Sequence, residues 1–218
     1  MIRAVIFDFD GLIVDTEWPA YEAWSTIYAR YQQVLPLEKW VAAVGTFHGF
    51  NPVQYLNELT GLELEFDRLF AEKENLKAAK CAVAPILPGV EARIAEAKSL
   101  GALTGVVSTS DREWVETHLK RVGIYHQFDA VITREDVKKV KPDPEPYQKA
   151  AAVFEVNPSA CIVFEDSMNG VRAAKAAGMY CVAVPSRVTE FLDFAMADRR
   201  VTSLAEFEIA RFIEEVSA

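Results

Sequence analysis

Apolar residues gather in short runs at the start and in the second half of the chain, and recur at helical spacing between them. Ala4-Val5-Ile6-Phe7 reads as a strand covered on both faces, because a short Val/Ile/Phe run fits a buried parallel sheet. Over residues 17–84 the pattern turns helical. Trp18, Tyr21, Trp24, Tyr28 and Tyr31 mark one helix, and residues 37–44 fit a second. Gly45-Thr46-Phe47-His48-Gly49 breaks it, and Pro52 stands in the first turn of a third helix that runs to about Thr60. Phe66, Leu69, Phe70 and Leu76 stripe a fourth, and no strand is expected among them.

Pro85-Ile86-Leu87-Pro88-Gly89 punctuates the way out, after which helix and strand alternate. Strands are expected at 103–107, 130–133, 161–164 and 180–184. Between them Val90, Ile94 and Ala97, then Val115, Leu119 and Val122, mark helices that end at Gly101 and Gly123. Tyr147, Ala150, Ala151 and Phe154, then Val171 and Ala174, mark two more, and a last helix covers about 204–216. Alternation of this kind predicts an α/β fold, a Rossmann-like doubly wound parallel sheet. The all-helical stretch 17–84 is then an insert, and residues 1–16 and 85–218 form the core around it.

Composition narrows the picture. The 218 residues are 51% hydrophobic, enough for a sizeable core. Lys and Arg number 23 against 32 Asp and Glu, a net charge of −9, and no basic cluster exceeds Lys138-Lys139-Val140-Lys141. That excludes a nucleic-acid footprint and makes any anion site local. No signal-like or membrane-spanning run is visible, and Cys81, Cys161 and Cys181 lack metal-site spacing. The expectation is a cytoplasmic monomer, with Cys161 and Cys181 as small buried hydrophobes.

The chemistry sits where strands end. Asp8 and Asp10 are two residues apart, on one side of an extended chain, and Gly11 then lets the backbone turn. Two carboxylates that close need a shared proton or a cation. The alternative is a surface turn or an N-cap. Ser108-Thr109-Ser110-Asp111 follows the second strand and suits a phosphoryl oxygen, or caps the next helix. Lys141 precedes Pro142, which favours an extended backbone and so fixes the ammonium's direction. Glu165-Asp166 ends another apolar run and suggests a hard cation, with an N-cap as the plain reading.

These stretches resemble the motifs of the haloacid dehalogenase superfamily: Asp8-Phe9-Asp10-Gly11 with Asp15-Thr16-Glu17, Ser108, Lys141-Pro142-Asp143-Pro144, and Glu165-Asp166-Ser167-Met168-Asn169-Gly170. They stand in the family's order, and the resemblance covers essentially the whole chain. It points to the branch with a helical cap after the first motif, which includes β-phosphoglucomutase-like enzymes.

The resemblance implies a Mg²⁺-dependent phosphatase acting on a small phosphorylated metabolite such as a sugar phosphate. Asp8 would be the nucleophile and Asp10 the acid/base. Mg²⁺ would lie on Asp8, the Asp10 carbonyl, Asp166 and Glu165, the last directly or through water. Ser108, Thr109 and Lys141 would bind the phosphoryl group, and Phe47 and His48 of the cap loop would touch substrate. Asp10 favours phosphate over halide chemistry, since an alkoxide leaving group needs a proton. A phosphosugar mutase is the alternative, but Trp18-Pro19-Ala20 offers no His and the cap loop no Arg or Lys. A phosphate-binding regulatory protein without turnover is a second alternative.

Overall fold

The computed structural model describes residues 2–41 and 50–217. Its centre is a parallel sheet of β1 (Ala4–Phe7), β2 (Leu103–Val107), β3 (Ala130–Ile132), β4 (Cys161–Glu165), β5 (Tyr180–Ala183) and β6 (Arg199–Arg200). The order is β3-β2-β1-β4-β5-β6, so β1 is central and the winding reverses between β1 and β4. Ligands of such sheets bind at the carboxyl ends beside that reversal. Phe7 pairs with Val106 on one side and Phe164 on the other, which brings the chain after β1, β2 and β4 out at one level.

Alternation along β1 divides the core. Val5 and Phe7 face one layer, packed with Val90, Ile94 and Ala97 of α5 (Val90–Ser99), Val115 and Leu119 of α6 (Arg112–Arg121), and Phe212 of α9 (Ile209–Ser217). Ala4 and Ile6 face the other, with Tyr147, Ala150 and Ala151 of α7 (Glu145–Val153) and Val171 and Ala174 of α8 (Met168–Ala176). Cys81, Cys161 and Cys181 are all free and buried, and no described helix is long and apolar enough to cross a membrane.

Between β1 and α5 lie the inserted helices α1 (Glu17–Arg30), α2 (Leu37–Val41), α3 (Pro52–Thr60) and α4 (Phe66–Cys81). They bury a third cluster of their own, built on Ala20, Trp24, Ile27, Tyr28, Leu56 and Leu69. Val188, from the segment after β5, completes it. The two connections to the core pair with each other: Val14 bridges Ile86, and the Leu87 N–H donates to the Ile13 carbonyl at 2.9 Å.

Three details depart from the sequence reading. The last helix starts at Ile209, not near 204, because the Ser203 side chain accepts from the Ala205 N–H and closes a separate 3₁₀ turn over Leu204–Glu206. β6 is unexpected, since Arg199 and Arg200 are exposed and carry no strand pattern. β3 stops at Ile132, where the Thr133 and Asp136 side chains form a capping box. The rest of the second helix and the loop with Phe47 and His48 lie outside the described residues.

Trp24 is 1% exposed at the heart of the insert's cluster. Trp24→Ala should cost about 3–5 kcal/mol, measured as a fall in the urea midpoint. An unchanged midpoint would show that the helices stand without that contact.

Candidate active site

The ends of β1, β2 and β4 meet at one ammonium group. Asp8 extends the β1 ladder by donating its N–H to the Phe164 carbonyl at 2.9 Å, so the sheet fixes its backbone. Lys141, on the loop before α7, is 6% exposed. Its Nζ donates to Asp8 Oδ1 at 2.6 Å, Glu165 Oε1 at 2.5 Å and the Val107 carbonyl at 2.9 Å. An ammonium has three N–H bonds, and three acceptors meet them. The surface-turn readings of Asp8 and Lys141 therefore fail.

Glu165 is fully buried with both oxygens engaged. Oε1 also accepts from the Tyr147 hydroxyl at 2.5 Å, and Oε2 accepts from the Ser167 N–H at 3.3 Å and hydroxyl at 3.1 Å. A Cβ on Gly170 would fall 1.8 Å from the Glu165 carboxyl carbon, so only glycine fits there. Asp166 differs: it is 2% exposed, and its Oδ2 has no hydrogen-bond partner among the described residues. Gly11, at φ +79°, lets the β1 loop pass this carboxylate, for a Cβ there would lie 2.2 Å from Oδ2.

Carboxylate oxygens of Asp8, Glu165 and Asp166 lie within 4.8 Å of one another. Burial pushes the Asp8 carboxyl well above its ordinary range; Glu165 adds to the shift and Lys141 opposes it. Burial also pushes Asp166 well up, reinforced by Asp8 and Glu165. Burial works against the Lys141 ammonium, but Asp8 and Glu165 outweigh it and raise its pKa. Fully ionised, the three acids and Lys141 carry a net charge of −2. A divalent cation with oxygen ligands balances that charge and gives Asp166 Oδ2 a partner. The donor set thus fits the expected metal.

Asp10 has a separate surround. Oδ1 accepts from the Thr16 hydroxyl at 2.8 Å and Trp114 Nε1 at 3.0 Å, and Oδ2 from the hydroxyls of Ser110 at 2.6 Å and Ser108 at 3.2 Å. Lys77 of α4 lies over the Trp114 ring, 4.6 Å from its centroid. Burial would raise the Asp10 pKa, but Lys77, Ser110, Thr16 and Trp114 overcome it and the net shift is downward. Ser108 is engaged with Asp10 and accepts the Ser110 N–H at 2.9 Å, while Asp111 caps α6 by accepting the Trp114 N–H at 2.8 Å.

Asp8, Asp10, Glu17, Thr109, Lys141, Asp166, Ser167 and Asn169 line a cavity of about 40 Å³. Glu17 brings the insert's first helix to its wall. Of the expected residues, Asp8, Asp10, Ser108, Thr109, Lys141, Glu165 and Asp166 come together here. Phe47 and His48 lie outside the described residues. Thr16 belongs to the Asp15-Thr16-Glu17 stretch singled out in the sequence but had no role assigned to it, and Lys77, Trp114 and Tyr147 were not anticipated. Trp114 and Tyr147 sit on helices whose aromatics read as packing, and Lys77 is one of several lysines on α4.

Residues 5–184 match the family model described as haloacid dehalogenase-like hydrolase. The chain belongs to that family. YhcW of Bacillus subtilis strain 168 is 44% identical over 218 residues, covering 100% of this chain and 99% of that protein. Hexitol phosphatase B of Escherichia coli K12 is 30% identical over 215 residues, 94% of each. The crystal structure of CbbY from Rhodobacter sphaeroides in complex with phosphate aligns with a TM-score of 0.74 at 29% identity, covering 94% of this chain and 96% of that one. With its buried acidic triad, this member of the family is a phosphoric monoester hydrolase related to the CbbY and β-phosphoglucomutase-like branch.

The upward shifts at Asp8 and Asp166 set a pH dependence. Without a cation the folded state holds protons that the unfolded state releases near pH 4, so their contribution to stability is lost as pH rises through the raised values. A dication replaces those protons. In thermal melts, the gain in Tm from Mg²⁺ over EDTA should therefore grow from about pH 5 to about pH 8. An equal gain at both would separate the cation from these acids.

Proposed function

We propose that this protein hydrolyses small phosphorylated metabolites, with Mg²⁺ as its cation and Asp8 as nucleophile. The observation that carries this reading is the paired environment of two aspartates. Asp8 sits in a cation-ready acidic cluster against Lys141, and Asp10 two residues on sits in a shell of donors. The family's phosphatases, hexitol phosphatase B among them by name, support it.

Asp8 attacks phosphorus with the oxygen that Lys141 does not hold. The new O–P bond forms as the ester P–O bond breaks, giving an aspartyl phosphate. For the first step Asp10 must carry a proton, against the downward shift that Lys77 and its donors impose, and pass it to the departing alkoxide. It then takes a proton from the water that cleaves the acyl phosphate, which returns Asp8 and releases phosphate. The Thr16, Ser110 and Trp114 donors, with Lys77 nearby, favour the Asp10 carboxylate, the form the second step needs. Lys141 offsets charge at the phosphoryl group, and Ser108 and Thr109 stand beside it. Asp8, Asp166 and the Asp10 carbonyl would hold Mg²⁺, and Glu165, with both oxygens engaged, would act through water. When bound, the ion neutralises charge on the transferring group.

Transfer to a second hydroxyl, as in a mutase, needs a cap cation for a second phosphate, and Lys77, the cation the insert brings near the site, is taken up by Asp10 and the Trp114 ring. The first turn of α1 presents Trp18, with Pro19 and Ala20 buried, and no His. Hydrolysis is therefore the reading retained. Substrate must enter past the insert, since about 40 Å³ holds no sugar phosphate. Residues 17–84 would act as a cap that swings on 15–16 and 84–88.

Asp8→Asn should lower turnover of a generic phosphate ester by at least about 100-fold and leave the melting profile intact. Activity above a percent or so of wild type would sink the covalent route. Asp166→Ala should raise the Mg²⁺ needed for half-maximal rate by about tenfold or more, and an unchanged titration would place the ion elsewhere. A panel of sugar phosphates assayed with Mg²⁺ and with EDTA would then identify the substrate class.

A further inference from the structure

The segment between β5 and β6 contacts two bodies at once. Val188 is fully buried, not in the sheet's layers but in the insert's cluster with Trp24, Ile27 and Tyr28. Beside it, the Arg187 guanidinium lies 3.4 Å from the ring centroid of Trp18 at the start of α1, a cation–π contact. Leu192 packs against both the insert's cluster and the layer under α7 and α8. One residue after Val188, the fully buried Thr189 hydroxyl donates to the backbone carbonyl of Asp166 at 2.7 Å. The same oxygen accepts the Ser186 N–H at 2.9 Å, and the Leu192 N–H donates to the Thr189 carbonyl at 2.9 Å, which closes the segment into a compact turn.

We propose that residues 186–192 couple the insert to the cation site, with Val188 as the anchor in the insert and Thr189 as a positioning residue for Asp166. Adjacent β-branched residues have few rotamers, so a shift at Val188 is passed along the backbone to Thr189 rather than absorbed by side-chain rotation. Asp166 is sensitive to such a shift. Its carboxylate Oδ2 lacks a partner among the described residues, the Ser186 side chain of the same segment hydrogen-bonds the carboxyl group, and its carbonyl is held by Thr189. Gly11 leaves no slack on the other side. Docking of the insert then orients Asp166 for the cation, and by linkage the cation favours the docked insert. This rests on the reading of Asp166 as a ligand given above.

The test is Mg²⁺ affinity of the substrate-free protein, measured by calorimetry and checked by Mn²⁺ electron paramagnetic resonance. Thr189→Val keeps shape and branching but removes the hydroxyl, and should weaken Mg²⁺ about tenfold. Thr189→Ser should restore affinity to within about threefold. Val188→Ala touches no acid and leaves only a small void, yet should weaken Mg²⁺ about fivefold. It carries the test by itself if Thr189→Val does not fold. Wild-type affinity in Val188→Ala, with only its melting temperature lowered, would overturn the coupling, and wild-type affinity in Thr189→Val would overturn the role of Thr189. No Mg²⁺ binding by the wild type would instead overturn the cation site and the coupling with it.

Discussion

The structure depends on one buried ammonium. Lys141 carries its charge into the protein, where an isolated cation would cost several kcal/mol even after relaxation. The cost is offset only because Asp8, Glu165 and the Val107 carbonyl, from three neighbouring strand ends, converge on it. The sheet register makes that convergence possible, since Phe7 lies level with both Val106 and Phe164. Removing one partner of such a buried pair leaves an uncompensated charge worth about 3–5 kcal/mol. The same contact sets the spacing of the acids, and with it the surplus of negative charge that a dication satisfies.

Local cations matter because the chain as a whole repels phosphate, with its net charge of −9. Lys141 stands under the acids, and Lys77 reaches the Asp10 side from the insert over Trp114. The insert therefore does more than cover the cavity. It contributes charge through Lys77 and a wall through Glu17, and it takes Val188 from the core into its own packing. The two aspartates, close in sequence, are kept chemically distinct by these neighbours. Asp8 is pushed up by burial among acids, and Asp10 is drawn down by hydroxyls, an indole N–H and Lys77.

Much of this was legible in the chain, for physical reasons. β1, β2, β4 and β5 are short apolar runs buried on both faces, and a buried strand has to be written that way. The helices of insert and core carry their apolar faces at helical spacing, although on α4 Phe66 and Phe70 of the expected stripe are exposed and stack on each other while Leu69 and Leu76 pack inward. Asp8, Lys141, Glu165 and Asp166 stood out because charged residues at the ends of apolar runs have few plain explanations. β6 was invisible because two exposed arginines bury nothing, and the start of α9 was misplaced because a side-chain cap at Ser203 closes a separate turn.

By itself, then, the sequence determined the order of strands and helices other than β6, the insertion between β1 and α5, and which acids and which lysine meet at the candidate site. Each of these is encoded locally, in periodicity or in a motif a few residues long. Only the tertiary structure decided how those residues are divided. The hydroxyls of Thr16, Ser108 and Ser110 and the indole of Trp114 reach Asp10 from as far as 104 positions away. Glu165 holds Lys141 and Tyr147 while Asp166 keeps an oxygen without a partner among the described residues, although the two acids are adjacent and alike in sequence. Such choices are made by distance and burial in three dimensions, which a linear pattern does not carry.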